Sequence, residues 1–299
     1  MLEHGADLHA DGGALRRAAG GGYLEAVKYL LEQGADLHAG DDKALRWAAY
    51  HGHLEVVKYL QEQGANLHSD NDKALRYAAQ KGHLEMVKYL QEQGADLHAE
   101  NEYALRWAAL NGLLKVVKYL LEQGPDLHAN NDEALRWAAE KGHLKIVKLL
   151  LEQGADLHAK NDEALRSAAY HGYLEIVKRL LERGADLHAK NDALRLAARN
   201  DNLEVVKCLL EQGADSDIVS DKKIIKLFTT YDLQIKKITP RLSSLFLKIK
   251  RFKKPYKTST RNKILSTYRK KVVSPLVILM YHLYYRPSGP GFFQAIEAI

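Results

Sequence analysis

The chain has 299 residues, of which 46% are hydrophobic and 27% charged, and a single cysteine, Cys208. Those proportions suit a globular or repeat protein, exclude a disulfide scaffold or a cysteine-based zinc cluster, and fit a reducing, intracellular compartment. No run of 18 uncharged apolar residues offers an ordinary transmembrane helix, and the opening MLEHGADLHA has no basic and apolar leader pattern, so no signal peptide is expected.

Periodicity dominates the first two-thirds of the chain. Ala-Leu-Arg begins at Ala14, Ala44, Ala74, Ala104, Ala134, Ala164 and Ala193, with five spacings of 30 residues and a last one of 29. Asp/Asn-Leu-His recurs in step, from Leu8–His9 to Leu187–His188, with a first interval of 29 residues and 30 thereafter. Both deletions fall between the His and the next Ala-Leu-Arg, which marks that segment as a loop. A helix that lost one residue would rotate its whole apolar face.

In the unit 41–70, Ala44, Leu45, Ala48 and Ala49 form a small-residue stripe that ends at Gly52. Leu54, Val57 and Leu60, with Val56 beside them, form a second stripe that ends at Gly64. Each stripe predicts a short helix capped by a glycine, with Glu55 and Lys58 placed to suit the helix dipole. Such helices are too short to persist alone, so they bury their stripes against neighbouring units. The architecture expected is an all-α repeat solenoid of helix-turn-helix units, a part-repeat over 1–10 and then about seven repeats, filling residues 1–219.

At Ala48–Val57 and Ala78–Val87 the pattern Ala-Ala-x-x-Gly-His-Leu-Glu-x-Val, followed by Leu-x-x-x-Gly-Ala-Asp-Leu, resembles the ankyrin repeat family over roughly residues 1–218. The resemblance implies a β-turn finger and two antiparallel helices per repeat, stacked into a curved array that binds other proteins. Two departures stand out. The period is 30 residues against the family's usual value of about 33, and the shortfall lies in the finger. The family's Thr-Pro-Leu-His is here x-Ala-Leu-Arg, so Arg46 and its equivalents replace the His that ties neighbouring repeats. The short, uniform form is also similar to ankyrin proteins of giant amoeba-infecting viruses, which would place the chain in a host-cell cytoplasm. At the other extreme, the glycine-rich first unit (Gly12, Gly13, Gly20, Gly21, Gly22) is expected to be soft, as in a shortened relative of a longer array.

Seven histidines, His9, His38, His68, His98, His128, His158 and His188, recur once per repeat. With no carboxylate or cysteine read at a fixed offset, they are taken as finger-base residues rather than metal ligands. His53, His83 and His143 open second helices and read as structural; His51 and His171 are single-repeat features with a weak metal reading. No phosphate loop, nucleophile elbow or zinc-protease motif occurs, so neither catalysis nor a cofactor is expected. Cys208 reads as a small packing residue.

Positions that vary within a uniform repeat are the candidates for partner contact. The pair before each helix-ending glycine is Tyr50-His51, Gln80-Lys81, Leu110-Asn111, Glu140-Lys141 and Tyr170-His171. The position after Ala-Leu-Arg reads Trp47, Tyr77, Trp107 and Trp137, then Ser167 and Leu196. Aromatics suit binding hot spots. For the aromatic column packing between repeats is the leading reading, and for the variable pairs surface contact leads, with drift without a partner as the alternative.

Beyond Asp215 the period stops. Residues 220–299 carry 18 Lys+Arg and 3 Asp+Glu, net +15, whereas 1–219 is net −9. Lys248, Lys250, Arg251, Lys253, Lys254, Lys257, Arg269, Lys270 and Lys271 are candidate anion contacts, with Phe252, Tyr256 and Tyr268 interleaved. Such a run suits nucleic-acid phosphates, nuclear import or an anionic membrane. The apolar stretch 272–285 is too short to span a bilayer and fits a buried helix or a surface anchor. Asp221 is a candidate cap for a helix sealing the last repeat. The whole reads as a non-enzymatic interaction scaffold that docks a protein partner on the concave face and fingers of the array, with a small basic, helical module at 220–299. Its alternative is a membrane- or nucleic-acid-directed protein in which the tail does the work.

Overall fold

The computed structural model describes residues 13–214 and forms fourteen helices, with no strand, among them. The part-repeat at 1–10, the helix start at Asp221, the basic run and the apolar stretch all lie outside the described residues. The helices are α1 (Gly13–Gly20), α2 (Leu24–Glu32), α3 (Ala39–His51), α4 (Leu54–Glu62), α5 (Ser69–Lys81), α6 (Leu84–Glu92) and α7 (Ala99–Leu110). They continue as α8 (Leu114–Glu122), α9 (Glu133–Glu140), α10 (Leu144–Glu152), α11 (Ala159–His171), α12 (Leu174–Glu182), α13 (Leu187–Arg199) and α14 (Leu203–Glu211). Odd-numbered helices open a repeat and even-numbered ones close it. The chain divides into two compact units, Met1–Ala168 and Ala169–Ile299.

Within the first unit α1, α3, α5, α7 and α9 pack each on the next, forming a layer of first helices backed by the second helices. The alanines explain the close approach. Ala48, Ala49, Ala78, Ala79, Ala108 and Ala109 are fully buried, with Leu45, Leu75 and Leu105 beside them and Val57, Val87 and Val117 opposite. Each buried leucine stabilises the fold by about 1.5–3 kcal/mol, a gain that no short helix obtains alone. In the second unit α14 packs on α12 and α13 around Val177, Leu180, Leu194 and Leu209.

Both helices of a repeat end as the glycines predict. Gly52 has φ +81°, and the Gly52 and His53 amides donate to the carbonyls of Ala49 and Ala48. Gly64 has φ +101°, and the Gly64 and Ala65 amides donate to Gln61 and Leu60. This paired closure of orphan carbonyls needs a left-handed residue, which glycine adopts without a Cβ penalty. In the seventh repeat Asp201 takes that place at φ +57°.

The fingers depart from the β-turn that the family resemblance implies. Three successive residues adopt left-handed backbone at 40–42, 70–72, 100–102 and 160–162, a kink inside the ranges given for α3, α5, α7 and α11, and at 130–132 just before α9. Most are Asp or Asn, the types that tolerate this region best. The buried arginine of Ala-Leu-Arg holds the run in place. Arg76 donates from Nε to Asn71 O (2.9 Å) and from Nη2 to Asp70 O (2.6 Å). Arg106 and Arg136 make the same two bonds to the carbonyls five and six residues earlier. In the seventh repeat the one-residue deletion abolishes the left-handed run, and 187–199 is one continuous helix capped by the Asp186 side chain. The segment that the deletions mark as a loop is therefore a left-handed kink in five described repeats and continuous helix in the shortened one.

Candidate partner-binding face

Three sets of bonds join successive repeats, and they define which side chains are left over. The finger arginine makes the first. Arg46 reaches Asp70 of the following finger (2.6 Å) and Arg136 reaches Glu163 (2.9 Å), while Arg106 pairs with Glu133. Arginine thus does the tying that the family assigns to its histidine. Asp70 is held below the usual carboxylate range, first by its bond to Lys73 and further by Arg46 and Arg76.

The buried acid closing each left-handed run makes the second. Asp42 Oδ1 accepts from His38 Nδ1 (2.9 Å) and from the Asn66 amide of the next repeat (3.1 Å). Glu102 does the same for His98 and the Asp126 amide, and Asp132 for His128 and the Asp156 amide. A carboxylate does therefore stand at a fixed offset from the repeated histidine, four residues on, contrary to the sequence reading. His-x-x-x-Asp/Glu at 38–42, 68–72, 98–102, 128–132 and 158–162 was the signal. Each acid serves one histidine, and among the described residues no group of three or more His, Cys, Asp or Glu could hold a metal ion. The Asp132 bond raises the pKa of His128, with Asp126 and Asp156 adding to it.

The histidine at the start of the second helix makes the third. His53, His83 and His143 donate from Nε2 to the carbonyls of Gly20, Tyr50 and Leu110 of the preceding repeat, at 3.0–3.1 Å. A carbonyl only accepts, so each ring carries its proton on Nε2. The rings sit so close that a Cβ on Gly22, Gly52 or Gly112 would lie 2.5–2.6 Å from them. Where Leu113 replaces the histidine, Asn111 Nδ2 supplies a bond to Gln80 O (3.2 Å). Asn111, a candidate partner contact, thus has a structural duty. In the second unit Asn202 donates to Ala169 O and Tyr170 O in the same manner.

The second helices of the first three repeats present a uniform edge, which changes where Lys115 and Lys145 replace the glutamate. Lys28, Lys58 and Lys88 each pair with the glutamate three residues earlier and lie 5.8–5.9 Å from the ring centres of Tyr59, Tyr89 and Tyr119 of the next repeat. The Tyr89 and Tyr119 hydroxyls donate to Gln61 and Gln91, and partial burial raises the pKa of both phenols. Cys208 falls in this tyrosine column, half-buried, its thiol pushed up by burial.

What remains is the outward side of the first helices, where the variable residues gather. Trp47 is 39% exposed; Tyr77, Trp107 and Trp137 are half-buried. Tyr50, Gln80, Leu110 and Glu140 are half-buried, and His51, Lys81, Asn111 and Lys141 are exposed. Two aromatic clusters form in the first unit. Tyr50 lies against Trp47 (5.7 Å) and Tyr77 (5.3 Å), and Trp107 lies against Tyr103 (5.4 Å) and Trp137 (5.6 Å). Packing between repeats and surface exposure are thus both properties of this column. Tyr103, which sequence reasoning passed over, is also overlain by Arg76 at 5.0 Å, and its phenol pKa is raised by burial. Its column is Lys43, Lys73, Glu133 and Glu163 elsewhere, and that variation within a uniform repeat was the signal that could have found it. In the second unit Tyr170 and His171 are exposed, with His171 stacked on Tyr173.

The sequence profile of ankyrin repeats (three copies) matches residues 15–101, 75–161, 105–191 and 135–221, together well over half of the chain. The chain belongs to the ankyrin repeat family. Among solved structures, this ankyrin chain is similar to the ankyrin repeat domain of human ASB11, at 26% identity and a TM-score of 0.57. That match covers 67% of this chain and 97% of the other. No curated protein matches it. The ankyrin repeat is a general protein-interaction fold, which places this array among binding scaffolds.

Proposed function

We propose that the protein is a non-enzymatic scaffold that docks a protein partner on the outward side of its first helices and the adjoining fingers. One observation carries this reading: residue variation in a highly uniform array concentrates on that face, where aromatic rings meet edge to face and are partly exposed. Residues of the three joints are fixed by the bonds they make. The outward residues, Asn111 apart, are released from that constraint, and rigid aromatics give large contact area at low entropy cost.

The test is photo-crosslinking in cell extract with the full chain carrying a crosslinkable residue at Gln80, Leu110 or Glu140, against controls at Tyr59 and Tyr89. A protein crosslinked from the first set and absent from the second supports the reading, and equal labelling from both removes it. The basic run favours a second reading, in which 220–299 recruits nucleic acid or an anionic membrane. Phosphate-dominated binding weakens steeply with salt, whereas docking centred on aromatics responds little. Retention of nucleic acid or lipid alone, lost at high salt, would put the array in a supporting role.

A further inference from the structure

We infer that the first-helix face of repeats one to three, centred on Trp47, is a receptor for a short acidic peptide segment carrying an aromatic or large aliphatic anchor. This rests on the docking reading above and names the chemistry of the partner. Charge is segregated within these repeats. Residues 13–23, 43–53 and 73–83, which form the first helices and their turns, contain seven Lys/Arg and no Asp/Glu. The intervening second helices and fingers, 24–42 and 54–72, contain nine Asp/Glu and two Lys. Two repeats further on the same face loses its character, because 133–143 includes Glu133 and Glu140.

Several of these cations have no acidic partner among the described residues. Arg46 and Lys73 are committed to Asp70, but Arg17 and Lys81 are exposed and Arg16 lies 5.9 Å from the Trp47 ring centre. Lys81 lies 4.4 Å from the ring centre of Tyr50. A carboxylate arriving here meets positive charge that no acid pairs among the described residues, with Arg16 and Lys81 set over ring faces, so it gains pairing without breaking an ion pair described here. Shape supplies the anchor site. Tyr50 stands against Tyr77, but the equivalent residue before Trp47 is Gly20, followed by Gly21. A Cβ on Gly20 would make only ordinary contacts with Trp47 and His51 at 3.6 Å, so the preceding repeat sets no side chain from this position against the indole, which His51 and Tyr50 of its own helix flank. Trp47 is accordingly the exposed tryptophan of the column, with a side-chain-sized step beside it.

A short acidic segment fits better than a nucleic acid. Beyond the patch the array is net negative and the fingers carry Asp41 and Asp70 at its border, so a long polyanion would be repelled on both sides. A short peptide confines its charge to the basic helices.

The experiment selects displayed random dodecapeptides on the full chain and measures the recovered peptides by fluorescence anisotropy and photo-crosslinking. The expected pool is rich in Asp and Glu around one aromatic or leucine, and it crosslinks within 16–53 or 77–81. Trp47→Ala should weaken binding about tenfold or more. Arg17→Glu, on an exposed site where folding is not at risk, should weaken it about threefold and flatten its salt dependence. A pool with no acidic enrichment overturns the inference, as does affinity untouched by both variants. Crosslinks confined to 103–141 would remove it while leaving docking on the first helices intact, whereas crosslinks in 220–299 would assign the acid preference to the basic tail. Binding of a single-stranded RNA oligonucleotide at Trp47 with the same sensitivity to both variants also overturns it.

Discussion

The finger joints and the outward column differ in how much the stack asks of them. Every finger from 70 to 136 repeats two sets of bonds, arginine to two carbonyls and buried acid to histidine, and Arg106 and Arg136 also reach a glutamate of the next repeat where Arg76 lies over Tyr103. The outward column runs Trp47, Tyr77, Trp107, Trp137, Ser167 at equivalent backbone positions, and the helices beneath it do not change. Uniformity in this protein therefore records bonding between repeats, and variation records freedom from it.

The comparison breaks most sharply at a finger. Arg136→Ala removes the donors for Asn130 O and Asn131 O together with the pairing to Glu163. It leaves three left-handed residues without support. A loss of about 2–4 kcal/mol in urea unfolding is expected.

Two glycines sharpen the point. Gly52→Ala and Gly64→Ala both force a Cβ into left-handed backbone, for about 1 kcal/mol or somewhat more each. At Gly52 the new atom would also stand 2.6 Å from His83 and displace its bond to Tyr50 O, while Gly64 has nothing within 4 Å. Gly52→Ala should therefore cost about 1 kcal/mol more than Gly64→Ala in the same assay.

A smaller effect is set by pH. Asp132 raises the His128 pKa above its ordinary 6.5, so the pair stabilises the fold fully below that value and loses its contribution as pH rises through the raised pKa. The drop in Tm between about pH 6 and about pH 8.5 should be smaller in His128→Asn than in the parent chain. The smallest effect is at Ser69. Its hydroxyl donates to Asp41 O (2.8 Å), the carbonyl that Arg46 Nε would reach by analogy with the other fingers, and Arg46 Nε is left buried without a partner. Ser69→Ala should change stability by no more than about 0.5 kcal/mol, since one bond replaces the other.

Much of this was legible in the sequence because a repeat protein writes its long-range contacts as short-range ones. Leu45, Ala48 and Gly52 meet copies of themselves, so their recurrence alone locates the core and the helix ends. The left-handed fingers were hidden because Asp, Asn, Glu and Lys fill them rather than glycine, and the arginine that holds them reaches back five and six residues. The deletion before Ala193 misled for a related reason: with one residue fewer, helix became the simpler path. The outward column was legible as variable, but only coordinates show Tyr103 joining it and Asn111 standing in for the histidine absent at Leu113.

The most direct test of the division between joint and outward column is urea unfolding of one triple variant that borrows residues from other repeats: Trp47→Ser, Tyr50→Glu and His51→Lys. Serine stands at 167 and Glu-Lys at 140–141 in the same array. Stability within about 1 kcal/mol of the parent chain is the expected result, as for surface positions outside the joints. A loss of more than about 2 kcal/mol would show that the column holds the stack together and would contradict the account.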